Sequence, residues 1–171
     1  GVTIEFVQTE TPGSCLNQYT LTRTWTATDE CDNAVTHTQV IVVEDTTPPV
    51  LSALPADQTV ECDQVPTPPA VTAMDNCDMD VMVQFAEVRT DGNCPHNYSL
   101  ARTWTATDDC DNSTVHTQTI TVQDTQAPVF DGPLPQDVTA ECTNIPEALT
   151  LTATDNCTDD NPDPVIFINE F

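Results

Sequence analysis

Apolar and polar positions alternate along most of this chain with a period of two, and no helical period of 3.6 is sustained anywhere. The clearest case is Tyr98–Asp108, where Tyr98, Leu100, Trp104 and Ala106 share one face and Ser99, Ala101, Thr103, Thr105 and Thr107 the other. Val81–Thr90 sets Val81, Val83 and Phe85 against Met82, Gln84 and Ala86, and Ser113–Gln123 follows the turn Asp109-Cys110-Asp111-Asn112 as a hairpin arm. Two shorter extended pieces, Gln58–Cys62 and Ala70–Asp75, come before these. The second follows the proline-rich Val65-Pro66-Thr67-Pro68-Pro69, which suits an edge or a crossing. Short strands with frequent turn residues predict an all-β, immunoglobulin-like antiparallel β-sandwich.

The pattern repeats. Leu21 to Asp29 (LTRTWTATD) returns as Leu100 to Asp108 (LARTWTATD) 79 positions later, and Asp45-Thr46-Thr47-Pro48-Pro49-Val50 returns as Asp124-Thr125-Gln126-Ala127-Pro128-Val129. Leu54 to Cys62 returns as Leu134 to Cys142, now 80 positions on, and Thr72 to Cys77 as Thr152 to Cys157. A tandem array of repeats of about 80 residues is expected from this. Residues 46–124 hold one complete repeat, 1–45 the C-terminal half of the one before, and 125–171 the N-terminal half of the one after. The start of the chain, Val2-Thr3-Ile4-Glu5-Phe6, is similar to its end, Phe167-Ile168-Asn169-Glu170-Phe171, so the two halves are suited to complete one sandwich between copies, end to end.

At this point a resemblance can be named. Thr72-Ala73-Met74-Asp75-Asn76-Cys77, and Thr103 to Asn112 followed by a Thr-rich strand and Asp-Thr-x-x-Pro, resemble the HYR-like repeats of large bacterial surface proteins, common in secreted adhesins of the Bacteroidota. The resemblance runs over essentially the whole chain. It implies an immunoglobulin-like fold, extracellular export, often by the type IX route, and a place in stalks, adhesins or filaments; it names no ligand.

Eight cysteines in 171 residues point to an oxidising compartment. With no Cys-x-x-Cys pair, disulfides are expected over structural zinc. Neighbour pairing of Cys94 with Cys110 is excluded, because the intervening eleven-residue strand Tyr98–Asp108 spans roughly 35 Å, whereas a disulfide needs its Cα atoms within about 7 Å. An up-and-down path through the repeat brings Cys62 to Cys94 at one end and Cys77 to Cys110 at the other. These are the expected pairs, leaving Cys15, Cys31, Cys142 and Cys157 to partners outside this stretch or in a neighbouring copy.

Charge sharpens the picture. Three arginines against 28 acidic residues give a net charge near −25. Nucleic acid and anionic membrane surfaces are therefore poor partners, and no apolar run is long enough to span a membrane. The same tracing that sorts the cysteines gathers carboxylates at each junction between repeats. Candidate ligands of an inter-repeat calcium ion are Glu44, Asp45, Asp75, Asn76, Asp78, Asp108, Asp109, Asp111, Asp124, Asp155 and Asn156. Individually, Asp and Asn merely favour turns; their density at one end calls for a counter-ion. Such an ion would stiffen a linker already restricted by Pro48 and Pro49, and a rod is the expected shape.

Arg23 and Arg102 sit at matching positions on the tryptophan-bearing face and read as structural, as do His37 and His116 on the Thr/Gln-rich strand. No catalytic set stands out and no enzyme is expected. Expected partners are neighbouring repeats or further copies of the chain, in an end-to-end filament, or else a cell-surface or glycan ligand; the secreted enzyme spacer is the remaining alternative. The expected location is extracellular or on the cell surface.

Overall fold

The computed structural model describes residues 1–157. Its strands are β1 (Val2–Pro12), β2 (Tyr19–Asp29), β3 (Ala34–Val43), β4 (Val50–Leu51), β5 (Gln58–Glu61), β6 (Ala73–Met74), β7 (Met82–Cys94), β8 (Asn97–Thr107), β9 (Ser113–Gln123), β10 (Val129–Phe130) and β11 (Ala153–Thr154), with a short 3-10 turn at Cys62–Gln64. The described chain is all-β, as its two-residue period requires. The strand at Ala70–Asp75 contracts to Ala73–Met74, because the prolines before it supply no ladder donors.

Pairing follows a simple plan. β1, β2 and β3 form an antiparallel meander in which Phe6 faces Trp25 and Trp25 faces His37. A four-stranded sheet has the order β5-β9-β8-β7, and two small ladders join β4 to β6 and β10 to β11. One pairing departs from the antiparallel expectation: β5 runs parallel to β9, with Gln58 opposite Ile120 and Glu61 opposite Gln123.

The chain divides into two compact units. One comprises Gly1–Ala56, Pro68–Val88 and Ala101–Gln118. Its buried side chains include Leu51, Arg102, Trp104, Ala106 and Gln118. Trp104 packs on Phe85 with ring centroids 5.2 Å apart, and Trp25 on Phe6 at the same 5.2 Å. The other unit holds Asp57–Thr67, Arg89–Leu100 and the chain from Thr119. There Leu100, Ile120 and Val122 form the core, with Val60, Val65 and Tyr98 packed against it. The Arg89 guanidinium covers the Tyr98 ring at 3.7 Å.

Glycine serves close approach at two places. A Cβ on Gly92 would stand 2.3 Å from the Asn97 carbonyl oxygen, and one on Gly13 2.7 Å from that of Gln18. Both glycines sit where one long strand turns into the next, so the tight crossing admits no side chain.

Candidate functional site

Two structural devices stand out, a set of cysteine cross-links and a set of inward-turned carboxylates. Cys15 bonds Cys110 with Cα atoms 5.1 Å apart, and Cys62 bonds Cys157 at 5.7 Å. Cys31, Cys77, Cys94 and Cys142 are exposed thiols. This corrects the expected pairs Cys62–Cys94 and Cys77–Cys110, and it gives Cys15 and Cys157 partners inside the chain. The reason lies in strand order. Cys62 follows β5 on one edge of the four-stranded sheet and Cys94 ends β7 on the other. Three inter-strand spacings of about 4.8 Å separate them, roughly 14 Å, twice the reach of a disulfide. For Cys110, the loop between β1 and β2 presents Cys15 instead of Cys77. Each bond joins residues 95 positions apart.

Carboxylates in Asp-x-Cys and Asp-x-x-x-Asn turns organise the loops. Asp108 Oδ1 accepts the N–H groups of Cys110 and Asn112 at 2.9 and 2.8 Å, and its Oδ2 accepts the Asn112 amide at 2.9 Å. Asp29 does the same for Cys31 and Asn33. In both loops the residue before the asparagine takes a left-handed backbone, φ 67° at Asp111 and 64° at Asp32, which aspartate tolerates better than most residues. Desolvation raises the Asp108 pKa, but the hydrogen bonds from Asn112 and Cys110 outweigh it and hold the carboxyl below its ordinary value.

Asp45, Asp75 and Cys77 draw together in the first unit, with one ligand atom of each within 4.8 Å of the others. Asp75 Oδ1 accepts the N–H groups of Cys77 and Asp78 at 2.8 and 3.1 Å, while Asp45 Oδ1 accepts that of Thr47 at 3.2 Å. The second oxygen of each carboxylate is buried and meets no donor. Asp45 is 8% exposed. Two carboxylate oxygens of one group are thus buried without a hydrogen-bond donor, at a desolvation cost that a cation would offset. Desolvation and the charges of Asp45, Asp75 and Asp108 push the Cys77 thiol above its ordinary range.

Other candidates fall in different places. Asp78 is 9% exposed and caps its own turn by accepting the Asp80 N–H at 2.9 Å. Glu44, Asn76, Asp109 and Asp111 are exposed and lie outside the Asp45–Asp75–Cys77 group. In the second unit Asp124 groups with Glu61 and the bonded Cys157. Asp155 accepts the Cys157 N–H at 2.9 Å, and the Asn156 amide points to the Cys62 sulfur with its own Oδ1 buried and unpartnered.

Sequence reasoning missed Glu61. Its carboxylate accepts the Thr125 hydroxyl at 2.7 Å and N–H at 3.2 Å, and the Thr125 hydroxyl and N–H hold its pKa down. The recurrence of Glu-Cys at Glu61-Cys62 and Glu141-Cys142 was the available signal. Calcium takes six to eight oxygens. In the first unit's group, Asp45 and Asp75 are the carboxylates that could hold such an ion, with the Cys77 sulfur as its third atom.

No helix among the described residues is long and apolar enough to cross a membrane. Comparison with curated proteins finds no match. Residues 50–122 do match a known family, the HYR-like domain with four cysteines. The match runs from β4 into β9 and takes in Cys62, Cys77, Cys94 and Cys110, so residues 50–122 of this all-β, disulfide-bearing chain are similar to HYR-like, immunoglobulin-like domains, which suggests an extracellular module.

Proposed function

We propose that the chain is a non-enzymatic structural segment of an extracellular stalk, adhesin or filament, stiffened by calcium and covalently joined from repeat to repeat. The observation that carries this reading is the reach of the disulfides. Each bond connects cysteines 95 positions apart, more than one repeat length of about 80, so it ties one repeat to the next rather than closing a loop within one. A cross-link of that kind resists pulling along the chain. A binding module or an enzyme spacer has no need of it.

Calcium supplies the second half of the reading. Buried, unpartnered carboxylate oxygens on Asp45 and Asp75 place negative charge where the linker Glu44–Pro49 meets the Asp75–Asp78 loop. Within one unit, a divalent ion there would fix the linker to the loop. A bacterial cell surface is the source that the HYR-like resemblance favours.

The test is thermal unfolding of the oxidised chain in millimolar calcium and in chelator, with Asp45→Asn/Asp75→Asn as the comparison. The reading expects calcium to raise the melting temperature of the natural chain and to leave the double variant unmoved. An equal melting temperature in calcium and chelator would reduce the acidic loops to turn formers.

A further inference from the structure

One cavity lies wholly within the unit built around Leu100, Ile120 and Val122. Its volume is about 390 Å³, at the small end of the roughly 300–1,000 Å³ usual for ligand sites. The Cys62–Cys157 disulfide forms part of the wall, and around it stand Asp63, Arg89, Pro95, His96, Tyr98 and Asn156.

Arg89 is held in place before any ligand arrives. Its Nε donates to Asp91 Oδ1 at 2.7 Å, its Nη2 to the Pro95 carbonyl at 2.9 Å, and its guanidinium carbon stands 3.7 Å from the Tyr98 ring centre. A guanidinium carries five N–H donors, so this clamp leaves further donors at the cavity. His96 is half-buried, Asp63 is exposed, and Asn156 Oδ1 is a buried acceptor without a donor. Donors and acceptors therefore meet around one space, beside the apolar ring of Pro95 and the disulfide.

The fold does not ask for these polar groups. The frame of the cavity recurs in the flanking repeats, Tyr98 as Tyr19, Asn156-Cys157 as Asn76-Cys77 and Cys62 as Cys142. Its polar side chains do not: Arg89 is matched by Glu10, His96 by Asn17 and Asp63 by Thr143. The strand beside them is nearly letter for letter the same in both repeats, Leu21 to Asp29 against Leu100 to Asp108. The chain holds only three arginines and three histidines, and one of each lines this cavity.

We infer that the cavity binds a single neutral sugar residue of a glycan. Its hydroxyls donate to Asp63 and Asn156 and accept from Arg89 and His96, while its C–H face lies on Pro95. Charge decides against an acidic ligand: Asp91 already meets the Arg89 cation, Asp63 adds a second carboxylate, and the whole chain is near −25. A wholly apolar ligand would strip water from Asp63, Arg89 and Asn156 and offer them no partner. A neutral polyol with one apolar face meets both demands. For a ring of about a dozen heavy atoms, a Kd on the order of 1–10 mM is expected. The inference goes beyond the structural role proposed above and does not depend on calcium at Asp45.

The experiment titrates the oxidised chain with the methyl glycosides of glucose, galactose, mannose and N-acetylglucosamine, read by saturation-transfer NMR, with glucuronic acid as the charged comparison. At least one neutral glycoside is expected to bind in the millimolar range, and glucuronic acid about tenfold more weakly or not at all. Arg89→Glu, His96→Asn and Asp63→Thr each take the residue that a flanking repeat carries. Each is expected to weaken binding about fivefold or more while the Cys62–Cys157 bond still forms and the melting temperature holds. Should Arg89→Glu fail to fold, His96→Asn decides, because it leaves the Asp91 and Pro95 bonds of Arg89 intact. No binding of any neutral glycoside, tighter binding of glucuronic acid, or folded variants that bind as well as the natural chain each overturn the inference. None of these outcomes alters the calcium melting shift, so the structural reading is tested separately.

Discussion

Arg102 donates from Nε to Glu87 Oε2 at 2.6 Å, with the arginine side chain 4% exposed and the glutamate 35%. The matching arginine, Arg23, donates from Nε to Gln8 at 2.9 Å, and Gln8 stands where Glu87 does. The chain therefore carries its own comparison of a charged and a neutral acceptor for the same guanidinium. An arginine on the strand face of Leu100, Trp104 and Ala106 is tolerated because Glu87 takes its Nε–H as an ion pair, and it reads as structural.

Glu87→Gln keeps the acceptor and is expected to cost less than about 1 kcal/mol in a denaturant titration. Glu87→Ala leaves a buried cation short of an acceptor and is expected to cost about 2–4 kcal/mol. Equal losses from the two would show that charge, rather than the hydrogen bond, holds this position.

Much of the fold was legible in the residues themselves. Alternation in Tyr98–Asp108 marks β8 because its apolar face is buried and its threonine face is not, and Ser113–Gln123 is β9 as read. Of the eleven candidate ligands, Asp45 and Asp75 do draw together beside Cys77, because turn residues at strand ends gather wherever strands end together. Disulfide pairing was not legible. An up-and-down trace says which end of the sheet a cysteine reaches, and Cys62 and Cys94 do fall in one unit, Cys77 and Cys110 in the other. It does not say which edge. The parallel docking of β5 onto β9 is a long-range event that no local pattern announces, and it puts β5 at the opposite edge from β7.

Acid should loosen the loops in a definite window. Hydrogen bonds from the Asn33 side chain, the Asn33 N–H and the Cys31 N–H lower the Asp29 pKa, and Thr125 lowers that of Glu61. A carboxyl depressed by folding adds stability above its unfolded value, and that gain is lost as pH falls through the lower folded value. Stability should therefore be flat near neutrality and fall below about pH 4. Thr125→Val is expected to make urea midpoints less sensitive to pH in that range, since the donor hydroxyl is gone. An unchanged pH profile in this variant would remove Glu61 from the account.

Calcium and charge make opposite demands on the same two residues. Without an ion, Asp45→Asn removes one of two neighbouring buried anions and should leave the chelated protein as stable or more so. With millimolar calcium the order should invert, the natural chain gaining stability and the variant not. The crossing of the two melting series is the signature to look for. A variant less stable than the natural chain in chelator would mean that Asp45 serves its Thr47 turn and nothing more.

Cross-links of long reach should dominate stability. Each disulfide spans 95 positions, and a loop of that order is worth about 4–5 kcal/mol in the chain-entropy model. Cys62→Ser/Cys157→Ser is therefore expected to lower the melting temperature by roughly 10–18 °C in a protein of this size. The loss should fall on the unit built around Leu100, Ile120 and Val122, because Cys62 packs against that core. Cys15→Ser/Cys110→Ser should cost a similar amount but spare that core, so hydrogen exchange at Ile120 and Val122 separates the two bonds. Equal loss of protection there in both variants would show that the two units unfold as one.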